Sequence, residues 1–209
     1  MCDVLCRNRK FHMGVKDRPE AMALAHRGLT GAAWRTLDAT RRKHLLSCAV
    51  AATEALHWLC AIDEQLEKGS TDYKSRRNHD TDGSVLLGLR HVRDRAMHQV
   101  VICTAEDVRS FFNPPPGGLF YIASSYPIWT PVEMLPLAEE RHRNEKREKA
   151  YAVQVAESVA HKPIFRALKF LTRELTSKIT LVSTDQPSWF RELSDKEKLA
   201  ISESPMLRL

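Results

Sequence analysis

Leu45–Lys68 reads LLSCAVAATEALHWLCAIDEQLEK. Leu45, Ala49, Ala52, Leu56 and Leu59 recur at spacings of four, three, four and three, which sets them on one stripe of a helix. Traced backward the pattern begins near Thr36–Asp38, and traced forward it stops at Gly69-Ser70. One helix of about 30 residues, spanning roughly 45 Å, is expected there. An apolar stripe of that length must be buried against other helices, which points to an all-α bundle.

Upstream, Asp17-Arg18-Pro19-Glu20 supplies a helix start, with Asp as N-cap and Pro early in the first turn. That helix is expected to run through Ala21–His26 and to break near Gly28 or Gly31. Downstream, Thr71–Asp82 contains Tyr73, is polar and without periodicity, and reads as a loop or a frayed turn; Arg76, Arg77 and His79 in it read first as solvated residues and second as guides for RNA. Asp82-Gly83-Ser84 then opens a third helix, expected from Val85 to about Val101, with Ser84 as its cap. The run Asn113-Pro-Pro-Pro-Gly-Gly118 excludes helix and central strand. Its neighbours Leu119–Ser124 and Tyr126–Thr130 favour short extended segments, enough for one β-hairpin, with Trp129, Tyr121 and Tyr126 pinning it to the bundle. Leu137–Ala160 reads as a fourth long helix whose charged first half is a solvated face of mixed sign. Pro163 opens a last helix with Phe165, Leu168, Leu171 and Leu175 on its inner side. The organisation is a loose lead-in over 1–16, a helical domain over 17–177 with a Pro-rich insertion at about 102–136 between its third and fourth long helices, and a tail over 178–209.

Composition narrows the function classes. The chain has 209 residues, 43% hydrophobic and 28% charged, a globular balance that excludes wholesale disorder. Thirty-two Lys and Arg against 26 Asp and Glu leave a net charge of +6, which permits a polyanionic partner without demanding one. No unbroken run of about 18 apolar residues occurs, so no membrane partner is expected. Met1–Met13 lacks the apolar core of a signal peptide, and a cytoplasmic location follows as the expectation. Cys48, Cys60 and Cys103 sit among apolar residues as small hydrophobes. Cys2 and Cys6 find no second Cys or His pair to complete a zinc set, so neither a metal nor another cofactor is expected.

The chemistry lies in the third helix. On a helical wheel Val85, Leu89, Val92, Ala96 and Val100 form the apolar stripe, widened by Leu86 and Met97. Arg90, His91, Asp94, Arg95 and His98 occupy the opposite arc, while Arg93 falls inside the apolar stripe. A guanidinium cannot shed its charge to escape burial. Arg93 must therefore meet a carboxylate, lie at an interface or snorkel; Glu54 on the long helix and a subunit interface are both open to it. Asp94 and His98, four apart, face the same way, so the acid can hold the imidazole and raise its pKa. An Arg that grips a phosphate and a His that exchanges a proton near neutral pH suffice for RNA cleavage without metal, because RNA's own 2′-OH is the nucleophile.

Arg93-Asp94-Arg95-Ala96-Met97-His98 resembles the R-x4-H motif of HEPN-domain proteins, including the polar residue directly after the Arg. Gly88–Gln99 as a whole is similar to a subgroup of actinobacterial and actinophage HEPN-like proteins. So are Trp34-Arg35-Thr36-Leu37-Asp38, Glu54-Ala55-Leu56-His57, Trp129-Thr130-Pro131 and the stretch around Tyr151 and Lys162-Pro163, together covering residues 34–177. The resemblance implies an all-α HEPN-like helical bundle that forms a homodimer, with a metal-independent endoribonuclease site across the cleft. Arg93 and His98 would be the catalytic pair and Asp94 would orient them. The settings it suggests are toxin–antitoxin systems, phage defence or phage–host conflict, with an antitoxin or other protein as partner. One toxin subclass carries a Tyr two residues after the His; here that position is Val100, so control through that Tyr is not expected. Arg90, His91 and Arg95 add positive charge for RNA phosphates, and Glu54 and His57 would stand behind the pair as supporting residues, although His57 reads first as a satisfied core histidine. The rival expectation is a catalytically inactive HEPN-like module that binds RNA or a protein. A DNA-binding regulator fits less well, because no short Gly turn joins the two helices as a helix-turn-helix requires.

Overall fold

The computed structural model of the chain describes residues 18–96, 101–110, 121–135, 144–179 and 181, and within them six helices and one pair of antiparallel strands. The expected Asp17 cap, Cys2, Cys6 and most of the 178–209 tail lie outside the described residues.

Helix α1, Arg18–Arg41, runs straight through the positions expected to break it. Gly28 is a packing residue, not a stop: a Cβ there would lie 2.7 Å from the Trp58 indole, so its absence lets α1 approach α2. The single long helix expected from Thr36 to Lys68 is instead two. Lys43 takes a left-handed φ of 56°, and His44 caps α2, Leu45–Gly69, with its Nδ1 accepting from the Ser47 N–H at 3.2 Å. Arg41, Arg42 and Lys43 are good helix formers, so the turn is set by the packing of an αα-hairpin and not by local preference. Ala52, Leu56 and Leu59 of the expected stripe are fully buried, with Leu45 and Ala49 partly so.

The expected loop after Gly69-Ser70 contains a short helix, α3, Tyr73–His79, which buries Tyr73 and Arg77. Helix α4 follows as Val85–Ala96, and its expected continuation through Met97–Val100 lies outside the described residues. Val85, Leu86, Leu89 and Val92 enter the core as the wheel indicates.

The insertion is a hairpin, but not the one expected within 119–130. Strand β1, Ile102–Ser110, pairs with β2, Tyr121–Trp129, from Ile102 opposite Trp129 to Ser110 opposite Tyr121. The two short extended segments are thus one strand, and Pro127 is tolerated because a two-stranded sheet has no central strand. Trp129 is fully buried and donates from Nε1 to the Ala160 carbonyl at 2.9 Å, while the Tyr151 hydroxyl donates to Thr130 O at 2.5 Å. The base of the insertion is therefore anchored to the bundle.

Helix α5, Glu145–Gln154, ends earlier than the sequence suggests. Glu157 adopts φ 60°, and the connector turns to bond β2 through Glu157 N–H to Trp129 O and Ala160 N–H to Pro127 O. A Cβ on Gly88 would lie 2.9 Å from Tyr151 Cα, so this glycine lets α4 and α5 meet backbone to backbone. Helix α6, His161–Thr176, closes the core with Ile164, Ala167, Phe170, Leu171 and Leu175; Phe165 and Leu168 are only partly buried. By length and apolar composition α2 matches a membrane span; here its inner stripe packs against α1, α4 and α6.

Candidate functional site

Helices α2 and α4 pack so that the acids closing α2 meet the arginines of α4. Asp63 and Glu67 lie one turn apart on α2, with Glu64 beside them. Asp63 is fully buried, and the Tyr73 hydroxyl donates to it at 2.5 Å. Arg77 Nη1 reaches both Asp63 oxygens at 3.1 and 3.0 Å. Arg90 Nη1 donates to Glu67 at 2.7 Å, and its Nε lies 2.7 Å from Asp63 Oδ2 as an ionic contact without an aligned N–H. Lys74 approaches Glu67 at 2.7 Å. Burial works against the Glu67 carboxylate, but Lys74 and Arg90 outweigh it and hold its pKa down to about 2. Burial likewise opposes the Arg90 cation, and Asp63 and Glu67 reverse that, raising its pKa.

One turn further along α4 the surroundings change. Arg93 is not matched with Glu54. Its Nη1 donates to Glu64 at 2.8 Å, its Nε to Asp94 at 3.0 Å, and its Nη2 lies 2.9 Å from the same Asp94 oxygen. The Arg93 side chain is 31% exposed and that of Glu64 39%, against 6% for Arg90 and none for Asp63. Asp94 also meets Arg147 of α5 at 3.4 Å. Partial burial opposes the Arg93 cation, but Glu64 and Asp94 help to raise its pKa all the same.

The remaining site residues fall as follows. Arg93 and Asp94 are together at the end of α4; His98 lies outside the described residues. Arg90 is not part of an exposed basic face, since Asp63 and Glu67 enclose it. His91 is half-buried, its ring 5.5 Å from that of Tyr151 and tilted to it, and burial followed by the charge of Arg95 lowers its pKa. Arg95 is half-buried too. Glu54 serves α1: Arg35 binds it at 2.6 Å and the Trp58 indole N–H donates to it at 3.4 Å. It stands ten residues before Glu64, about 15 Å along α2, too far to support Arg93. His57, the better read as a core residue, is exposed and lies against Trp58 instead. Of the loop residues expected to be solvated, Arg77 is the most deeply engaged.

Asp63, Glu64, Glu67 and Arg147 were not singled out by sequence reasoning, and the burial of Arg77 was not foreseen. Asp63 carried a readable signal: it falls four after Leu59 and three before Leu66, on the buried stripe of α2, where a carboxylate demands a cation. Arg77 carried none, because Thr71–Asp82 has no period from which burial can be inferred. Among the described residues no group of three or more His, Cys, Asp or Glu could hold a metal ion. Burial pushes the Cys48 thiol up to about 11 and the Cys60 thiol up to about 12, so both are inert fillers.

No protein-family model, no curated protein and no solved structure matches the chain. The arrangement itself consists of two ion-pair networks on one helix pair: a closed one around Asp63 and Arg90, and an open one around Arg93 at the last described turn of α4.

Proposed function

We propose that the chain is an HEPN-like protein that cleaves RNA without metal at the C-terminal end of α4. Arg93 holds the phosphate, Asp94 orients the guanidinium, and His98 takes the proton from the ribose 2′-OH as that oxygen attacks the adjacent phosphorus. The phosphorus–O5′ bond breaks, the leaving oxygen takes up a proton, and a 2′,3′-cyclic phosphate remains. The observation that carries this reading is the contrast between Arg93, whose side chain is about a third exposed, and Arg90, closed off three residues earlier. A phosphate can reach the first and not the second.

The proposed unit is a homodimer in which each copy brings its α4 to a shared cleft. The outer face of α2, where Leu46 and Val50 are more than half exposed one turn apart, is available to a second copy. An antitoxin or another protein is the further partner this reading admits. The second reading, a catalytically inactive module that binds RNA or protein, is favoured by one fact: Glu64 and Asp94 already engage Arg93 within a single chain.

The test is incubation with RNA in excess chelator, using the wild type, Arg93→Ala and His98→Ala. Fragments with cyclic phosphate ends, formed by the wild type alone, are the expected result. Equal cleavage by all three overturns the reading. Binding by the wild type without cleavage, weakened in Arg93→Ala, establishes the binding module instead.

A further inference from the structure

We infer that Glu64 is a built-in competitor for the phosphate-binding end of Arg93, so that the site rests closed and opens when a phosphate displaces this carboxylate. The inference deepens the RNA reading above and rests on it for the identity of the ligand.

The guanidinium is shared along its edges. Asp94 takes the Nε side, with Nε at 3.0 Å and Nη2 at 2.9 Å from one oxygen. Glu64 takes Nη1 alone, at 2.8 Å. Each terminal nitrogen of an Arg bears two N–H groups, so a phosphate that replaces Glu64 meets Nη1 and the free N–H of Nη2 while Asp94 keeps its hold. Asp94 is itself steadied from the far side by Arg147 at 3.4 Å. The two acids therefore act differently: Asp94 fixes the direction of the fork, and Glu64 fills the place of the ligand.

Asp94 is the more exposed of the two acids, at 51%, but it holds two nitrogens of Arg93 and is met by Arg147, whereas Glu64 holds one nitrogen and is the acid that leaves. Its side chain is 39% exposed and that of Arg93 31%, and an ion pair this wet is weakly held. Released, the carboxylate turns into water. Asp63 in the neighbouring network has no such exit, being fully buried between Arg77, Arg90 and Tyr73. An RNA phosphodiester matches a carboxylate in charge and free oxygens, and inorganic phosphate exceeds it, so either takes Arg93 at a cost set by the Glu64 pair.

Inorganic phosphate titrated into the isotope-labelled full chain, followed at the Arg93 Nε–H resonance, reads this directly. Glu64→Gln and Glu64→Ala are both expected to bind phosphate about two- to five-fold more tightly than the wild type. Glu145→Gln removes an exposed acid from the first turn of α5 and the same unit of charge, and is expected to change binding less. No difference between wild type and both Glu64 variants, a gain as large in Glu145→Gln, or no response to phosphate in any of them overturns the inference. A parallel titration with RNA in the His98→Ala background separates it from the parent reading. A phosphate gain without RNA binding upholds the Glu64 competitor and removes RNA as the ligand. RNA binding that Glu64→Gln leaves unchanged removes the competitor and keeps RNA.

Discussion

Arg90 and Arg93 leave the same helix three residues apart, and both reach acids of α2, yet they do opposite work. Arg90 lies between a fully buried Asp63 and Glu67, where any departure would strand charges away from water. Arg93 meets Glu64 and Asp94 at the rim, where water can take the place of Glu64. Residue type and partner type are the same; desolvation differs. A buried pair is strongly destabilising to break, whereas an exposed pair is worth little and is easily exchanged. The first arginine therefore ties α4 to α2, and the second remains available for chemistry.

The largest expected effect breaks the closed network. Arg90→Ala leaves Asp63 short of a counter-charge, and urea unfolding is expected to show a loss of about 3–5 kcal/mol. A loss under about 1 kcal/mol would mean that the two arginines are equivalent, contrary to the comparison.

The next concerns acid. Lys74 and Arg90, outweighing burial, hold Glu67 to about 2 in the fold. Its contribution is fully present above its ordinary value near 4.5 and is lost only as pH falls toward 2. His161 behaves differently: burial, then Lys162, lower its pKa from 6.5 to about 3, and its Nδ1 has no partner. The unfolded chain protonates this ring below pH 6.5 and the fold does so only near 3, so stability is highest above 6.5 and drains as pH falls between those values. Unfolding measured between pH 6.5 and 4.5 is expected to show a fall that His161→Leu reduces by roughly 2–3 kcal/mol. An unchanged fall in that variant would assign the acid sensitivity to the ion networks instead.

The smallest effect lies at the open network. Glu64→Ala is expected to change stability by less than about 1 kcal/mol, less still at high salt. A loss comparable to that of Arg90→Ala would show that Glu64 is structural.

Much of this architecture was legible in the residues, for reasons that can be named. The stripe through Ala52, Leu56 and Leu59 and the stop at Gly69 are local patterns, and the fold keeps both. That Arg93 needs a carboxylate, an interface or a path to water followed from its place on the wheel of α4, and the fold gives it Glu64 and Asp94. What escaped depends on contacts distant in sequence. The turn at Arg42–His44 is built from helix-forming residues, the passage of α1 through Gly28 is explained only by Trp58, and the partner of β2 is Ile102–Ser110 rather than a neighbouring segment. The choice of Glu64 over Glu54 follows from the register of α4 on α2, which sets acids near the end of α2 against Arg90 and Arg93. No residue spacing within either helix states that register.

The most direct test of the account pairs two readings on one preparation of Arg93→Ala: its unfolding midpoint in urea and its cleavage of RNA in chelator. The expected result is a stability within about 1 kcal/mol of the wild type together with loss of cleavage. A midpoint that collapses as for Arg90→Ala, or cleavage that continues undiminished, would contradict the division between the two arginines on which the account stands.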